Sequence, residues 1–225
     1  MVIQVGRRST FDVISSVRKV VIPCDENSAG RDMRQLHPSQ VGYICLSETP
    51  EGKSTGLVKH LAMAAIISPR SNTRSVAKYL LKCTLTPGPV EVLLDGMCIG
   101  TTSIPHSTIR TYLKRKHKYV SVMLSSPDGD IITVRTWSGR PMRPVYNINN
   151  GMPKDTPWKN LLKSGAVEYV DPTETSGLQI APSLKDVVYG VHTHAEIHPS
   201  ILFGFSASLI PFANHNQTAR NIFAS

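Results

Sequence analysis

The chain has no closely spaced cysteine pair. Its four cysteines (Cys24, Cys45, Cys83, Cys98) lie far apart, which argues against a structural zinc site and for buried or incidental thiols in a reducing compartment. No run approaches the ~20 apolar residues of a membrane span. The opening MVIQVGRRSTFDV lacks the apolar core of a signal peptide. These two absences predict an intracellular protein without a membrane segment, so the Asn216-Gln217-Thr218 sequon reads as a chance match. There is no internal repeat and no low-complexity tract. Acidic residues are outnumbered by basic ones, 16 to 25, giving a net charge of +9. That imbalance points to an anionic partner, most commonly nucleic acid, although positive charge alone also serves solubility.

What is present suits a folded protein. Of 225 residues 40% are hydrophobic and 18% charged, enough to bury one large core or two small ones. FDVISSVRKVVI reads as either helix or strand, and residues 24–40 as an exposed polar loop with Gly30 and Pro38. Residues 41–46 read as a short strand. LVKHLAMAAII is evenly apolar and reads as strand or helix start. Asn72 is a plausible N-cap for a helix over 72–82, and PVEVLLDGMCIGTT reads as a hairpin turning at Asp95-Gly96. Residues 107–118 read as a basic helix with a Ser or Thr cap. VSVMLSS and IITVRTW form a second hairpin around Pro127-Asp128-Gly129. SGRPMRPVY leads into another extended piece. A short helix beginning at Pro153 to Pro157 ends at Gly165. Residues 172–185 read as loop, 187–198 as alternating, and ILFGFSASLIPF as buried. The fold class is α+β, strand-rich, built of mixed small subdomains, with the middle third set between two outer segments.

Several motifs fail on chemistry. EGKSTG suggests the phosphate loop GxxxxGK(S/T), but the leading glycine is Ser47 and Pro50 removes a backbone amide inside the loop. His192, His194 and His198 are evenly spaced, yet Glu196 is the one acid after His194, so the ligand set of a zinc hydrolase is missing; hydrogen-bonded histidines near a buried strand fit better. Arg110, Lys114, Arg115, Lys116 and Lys118 form the densest positive cluster, with aromatic interleaving limited to Tyr112 and Tyr119. It reads as a solvated surface in preference to a nucleic-acid reader. HNQTARN differs in kind: a polar segment follows an apolar run ending at Pro211-Phe212, and an arginine emerging from a rigid buried element suits bidentate phosphate binding.

RQLHPSQVGYICLSETPEGKSTGLVKHLAMAAIIS (residues 34–68) closely resembles the fork region of the second-largest subunit of multisubunit DNA-directed RNA polymerases, whose core is (V/I)C-x-x-ETPEG-x-x-GLV. AEIHPSILFGFSASLIPFANHNQTARNIFAS (residues 195–225) resembles the start of that subunit's hybrid-binding region, with HNQ marking the eukaryotic, archaeal and viral branch. DGMCIG, the basic helix, a hairpin, SGRPMRPVY and WKNLLKSGAVEYVD follow in the order of the family's two external domains. The resemblance divides the chain into a fork-like region (1–73), an external-domain region (74–190) and the start of a hybrid-binding region (191–225). Leu46, Asn214 and Ala219 depart from the family's usual proline, acid and proline. They suggest a diverged lineage, such as a large DNA virus or a selfish cytoplasmic element, and the family's other regions lead us to expect a fragment or a split gene.

The resemblance implies a part in template-directed RNA synthesis, with the catalytic Mg²⁺ held mainly by the largest subunit and none bound by this chain alone. Implied partners are the largest and other polymerase subunits, the DNA template, the RNA–DNA hybrid and the nucleoside triphosphates. Asp25, Gly30 and Arg31 match a DNA-proximal loop. Arg34, Glu48, Thr49 and Gly52 match the fork facing the active centre. Arg220 matches the arginine near the incoming nucleotide's phosphates, supported by His215, Asn216, Gln217 and Asn221. The isolated chain is expected to be inactive, because Asp128 and Asp130, its best local carboxylate pair, look like turn formers. The competing reading is a stand-alone basic module that binds nucleic acid or a partner without polymerase activity.

Charge alone gives one testable outcome. The isolated chain should bind single- or double-stranded nucleic acid weakly, with affinity falling steeply as salt is added, because phosphate contacts release counterions. Filter binding across a salt series checks this; salt-independent binding, or binding that follows one base sequence, contradicts it.

Overall fold

The computed structural model describes residues 4–125, 130–150 and 156–225. The chain forms two compact units, one of residues 1–66 with 198–225 and one of residues 67–197. Both mix short helices with small sheets, as an α+β fold. Among the described residues no helix is long and apolar enough to cross a membrane.

The 67–197 unit begins with the helix Thr73–Cys83, started by Asn72, whose side chain accepts from the Ser75 N–H. Strands Val90–Leu94 and Met97–Thr102 form the expected hairpin, with Asp95 at φ +50° and Gly96 at φ +91° in its turn. The strand Val90–Leu94 pairs parallel with Ile131–Arg135, which pairs antiparallel with Ser121–Leu124. A parallel pairing needs a long connection, and the helix His106–Lys116 supplies it. Period-2 alternation in the strands and period-3.6 spacing in the helices deliver Val92, Val122, Ile132 and Val134 onto Val76, Leu80, Ile109 and Leu113 in one core. The expected turn at Pro127-Asp128-Gly129, with Asp128, lies outside the described residues, as does the stretch at Pro153.

A second sheet is organised around the strand Pro141–Asn147, which pairs antiparallel with Val167–Val170 and with His194–Ala195. The helix Trp158–Ser164 ends as expected at Gly165, whose φ of +77° is the left-handed stop a side chain disfavours. Two local expectations need correction. Residues 172–185 are not merely loop: Pro172–Thr175 is a helical turn with a reciprocal capping box between Asp171 and Glu174. Residues 187–198 contain strand only at His194–Ala195.

That capping box belongs to a buried network of charges. Asp171 also takes Ser121 and Arg140, and Arg140 reaches the Tyr119 carbonyl at 2.7 Å. Glu174 accepts from the Val122 N–H at 2.9 Å, covering a sheet edge, and from Lys114 Nζ at 2.7 Å. Glu168 lies 2.8 Å from Arg110 and accepts from Asn147 at 2.6 Å. All these side chains are buried, so each charge relies on its neighbours.

In the other unit the helix Thr10–Val17 is capped by Ser9 and followed by the strand Lys19–Val21, antiparallel to Val58–His60. The open choice for residues 10–22 thus resolves into both elements. Arg18 fixes the chain after this pair, donating to the carbonyls of Ala62 at 2.6 Å and Ala65 at 3.0 Å. Residues 41–46 are not a strand but a turn with a single bridge between Ile44 and Leu61. The 201–212 segment is also corrected. It runs through short 3-10 turns, Pro199–Leu202 and Ala207–Leu209, and buries only Gly204 and Ala207. Leu209 and Phe212 are exposed, because such turns present apolar side chains on every side.

The network makes stability acid-sensitive. Burial pushes Glu168 up, but His194, Arg110 and Lys114 together outweigh it and hold the carboxyl at about 2. Unfolded, the same group sits at its ordinary 4.5, so the unfolded chain takes up the proton first. Stability is therefore present above the unfolded value and lost as pH falls from about 4.5 towards 2, by a contribution of order 3 kcal/mol. Asp171, held low against burial by Ser121, Thr173 and the Glu174 N–H, acts in the same direction. Urea unfolding between pH 6 and 2.5 should show this slope, reduced in Glu168→Gln; an unchanged slope in the variant contradicts it.

Candidate functional site

Asp25, Gly30, Arg31, Arg34, Glu48, Thr49 and Gly52 all fall in the unit of residues 1–66 and 198–225, whereas residues 67–73 of the fork-like region fall in the other. Arg34 ends the short helix Arg31–Arg34 and is half-buried. Its guanidinium donates to four carbonyls: Lys53 at 2.5 Å, Glu26 at 2.8 Å, Thr55 at 2.9 Å and Ala29 at 3.5 Å. It thereby ties the loop of residues 25–33 to the loop of residues 51–56. Ser54 adds a bond to Glu26 at 2.6 Å. Gly56 is required beneath it, since its φ is +75° and a Cβ there would stand 2.5 Å from the Arg34 carbonyl oxygen. Asp25 shapes its own loop, accepting from the Asn27 N–H at 3.0 Å. Gly30 and Arg31 stand at the outer end, and Arg31 is exposed.

Glu48 and Thr49 point inward. Thr49 Oγ1 donates to the Val58 carbonyl at 2.8 Å and accepts from the Gly56 N–H at 2.9 Å. Glu48 is 4% exposed and accepts from Ser15 at 2.6 Å, with His60 Nδ1 at 3.1 Å. Its other oxygen is buried against Gly204, where a Cβ would meet it at 2.2 Å. Burial lowers the His60 pKa, partly offset by Glu48, and burial raises that of Cys45, whose sulfur accepts the Ser47 and Glu48 N–H groups. Gly52 sits exposed at φ +92° in the turn between.

Glu48, Thr49 and His60 line a cleft of about 610 Å³, with the helix Thr10–Val17 on one side and Leu209, Ile210, Pro211 and Ser225 on the other. Sequence reasoning brought Glu48 and Thr49 here but missed Ser15, His60 and Gly204. Ser15 and His60 are 33 and 12 residues from Glu48, and no local pattern couples positions so separated.

The HNQTARN motif divides. Asn221 is buried and its amide donates to the Ala213 carbonyl at 2.8 Å, pinning the helix Thr218–Ala224. His215, Asn216, Gln217 and Arg220 are exposed. Among the described residues the Arg220 guanidinium makes no hydrogen bond or ion pair; it lies 5.8 Å from the Phe223 ring centroid. None of these four lines the Glu48 cleft.

The basic helix in the other unit is two-sided. Arg110 and Lys114 turn inward to Glu168 and Glu174, which leaves Arg115, Lys116 and Lys118 exposed. The expected Ser or Thr cap is replaced by Pro105. Tyr112 stacks on Tyr79 with centroids 3.8 Å apart. His192 and His198 accept the Val188 and Ser200 N–H groups, and His194 is buried. Among the described residues no three His, Cys, Asp or Glu side chains converge as metal ligands.

Residues 4–67 match the family described as RNA polymerase Rpb2, domain 3. Over its whole length the chain is 30% identical to the DNA-directed RNA polymerase II subunit RPB2 of Encephalitozoon cuniculi, covering 23% of that protein. It is 29% identical over 99% of its length to DNA-directed RNA polymerase II subunit 2 of Arabidopsis thaliana, covering 22%. A probable RPB2 homologue of Invertebrate iridescent virus 6 is 30% identical over 94% of the chain, which covers 20% of it. The chain thus spans between a fifth and a quarter of the length of these relatives.

The packing at Gly204 is testable. Gly204→Ala places a methyl against a carboxylate already held by Ser15 and His60, and within 3.0 Å of Cys45 Cβ. It should cost about 1–3 kcal/mol, the scale of overpacking a tight site. Denaturant unfolding measures it, and a loss below ~0.5 kcal/mol would contradict the packing.

Proposed function

The chain belongs to the second-largest-subunit family of multisubunit DNA-directed RNA polymerases, and on that premise we propose that it serves template-directed RNA synthesis inside the assembled enzyme. Its role in this reading is to scaffold and to contact nucleic acid and nucleotide. The partners are the largest subunit, the other subunits, the DNA template and the RNA–DNA hybrid. The catalytic Mg²⁺ would be held mainly by the largest subunit. A stand-alone binding module is not favoured, since similarity runs over the whole chain in one colinear match.

The observation that carries the nucleotide contact is the division within HNQTARN. Asn221 spends its amide on the subunit's own backbone, while Arg220, next to it, keeps its donors for an external acceptor. A planar guanidinium on a pinned helix can make paired hydrogen bonds to triphosphate oxygens, a geometry lysine does not reproduce. Arg34 takes a different part. Its donors hold the two fork loops, so it sets the shape of the DNA-proximal loop with Asp25 and Arg31 and makes no phosphate contact of its own.

In the assembled polymerase, Arg220→Ala should slow single-nucleotide addition by roughly ten- to a thousandfold, the scale of one lost charged contact in the transition state. Arg220→Lys should recover only part of that rate. Gel filtration checks assembly separately. Normal addition in an intact mutant complex rules the role out, and failure to assemble assigns the arginine to structure.

A further inference from the structure

A second cleft, of about 650 Å³, lies within the 67–197 unit at the start of the helix His106–Lys116. Its lining includes none of the residues matched to the fork, the DNA-proximal loop or the HNQTARN motif. The helix follows Pro105, which has no side-chain group to cap it, and its first turn carries no acid. Thr108 and Ile109 donate back to the Pro105 carbonyl, but the His106 and Ser107 N–H groups have no acceptor among the described residues. Both residues line the cleft. Two free N–H groups at the positive end of an 11-residue helix favour an anion.

A buried side chain points to the same conclusion. Arg110, one turn along, is 8% exposed and lines the cleft. Its Nη2 lies 2.8 Å from Glu168, but its Nε is buried with no hydrogen-bond partner, a costly state unless an acceptor is supplied. Most carboxylate oxygens on the wall are engaged; the exception is Glu168 Oε2, which lies 2.8 Å from Arg110 Nη2 but makes no hydrogen bond among the described residues. Glu174 takes Lys114 Nζ at 2.7 Å and the N–H groups of Val122 and Asp171, and Glu168 takes Asn147. The Ser107 and Thr111 hydroxyls add two more donors on the lining.

We propose that this cleft binds the phosphate group of a small phosphorylated molecule. A tetrahedral oxyanion can use the two helix N–H groups, the Arg110 guanidinium and the Ser107 and Thr111 hydroxyls together, whereas a planar carboxylate has fewer oxygens to share among them. The cleft exceeds the phosphate, and Met123, Leu124 and Leu178 on its lining suit an apolar organic group carried on the ester oxygen.

The test uses the full chain, with inorganic phosphate and phenyl phosphate as probes at constant ionic strength. Amide chemical shifts of His106 and Ser107 report occupancy, and a thermal midpoint reports folding. Saturable shifts at both amides are expected, with phenyl phosphate binding tighter than phosphate. Ser107→Asp places an acid in the first turn, which suits the helix dipole and preserves the fold but occupies and repels at the site. It should weaken both probes by at least about tenfold with no fall in the thermal midpoint. Absence of saturable shifts, or equal affinity in Ser107→Asp, overturns the site. Equal affinity for the two probes overturns the assignment of its apolar end.

Discussion

Burying an ion costs several kcal/mol unless partners replace its water, and the larger unit is arranged around that constraint. Asp171 and Glu174 open one short helical turn, and through it they reach Ser121, Arg140, Val122 and Lys114. Those residues come from the first sheet, the basic helix and the strand Pro141–Asn147's neighbourhood. Glu168, on a strand of the second sheet, completes the set with Arg110. No member can be removed without leaving an uncompensated charge, so the two small sheets hold one geometry. Apolar contact would contribute less there, because the apolar clusters of the second sheet, around Ile148 and Leu161, are small.

The same economy governs the fork. Arginine is suited to phosphate because its five donors form a fixed fork, and that property also suits it to gathering carbonyls. At Arg34 the carbonyls take the donors, and two loops become one object. Glu48 is likewise turned inward, tying the helix Thr10–Val17 through Ser15 to the strand Val58–His60 through His60. Residues of this kind set the shape of their loops. Arg31 and Arg220, exposed beside them in the sequence motifs, have side chains turned to solvent. In both motifs, then, one polar residue is spent on the backbone and a near neighbour is presented.

How much was legible in the sequence follows from the range of the interactions involved. Helices and hairpins carried by local signals were readable: Asn72 before Thr73–Cys83, Asp95-Gly96 between paired strands, and Gly165 after Trp158–Ser164. The family resemblance was readable too, carried by residues 34–68 and 195–225, and the chain is 30% identical to a relative over its whole length. Composition also determined the positive charge, whatever the fold did with it.

Tertiary structure alone decided where that charge went. Arg110 and Lys114 look in sequence like the rest of a solvated basic helix, and only Glu168 and Glu174, more than fifty residues on, draw them inside. The 201–212 run is apolar enough to read as buried, yet its backbone takes 3-10 turns and leaves Leu209 and Phe212 outside. Glu48 finds Ser15 and His60, and Gly204 finds Glu48, through contacts that no periodicity encodes. Local pattern fixes which element forms, since it depends on neighbours in the chain. Which polar group meets which is set by folding, when residues distant in sequence compete to satisfy the same buried charge.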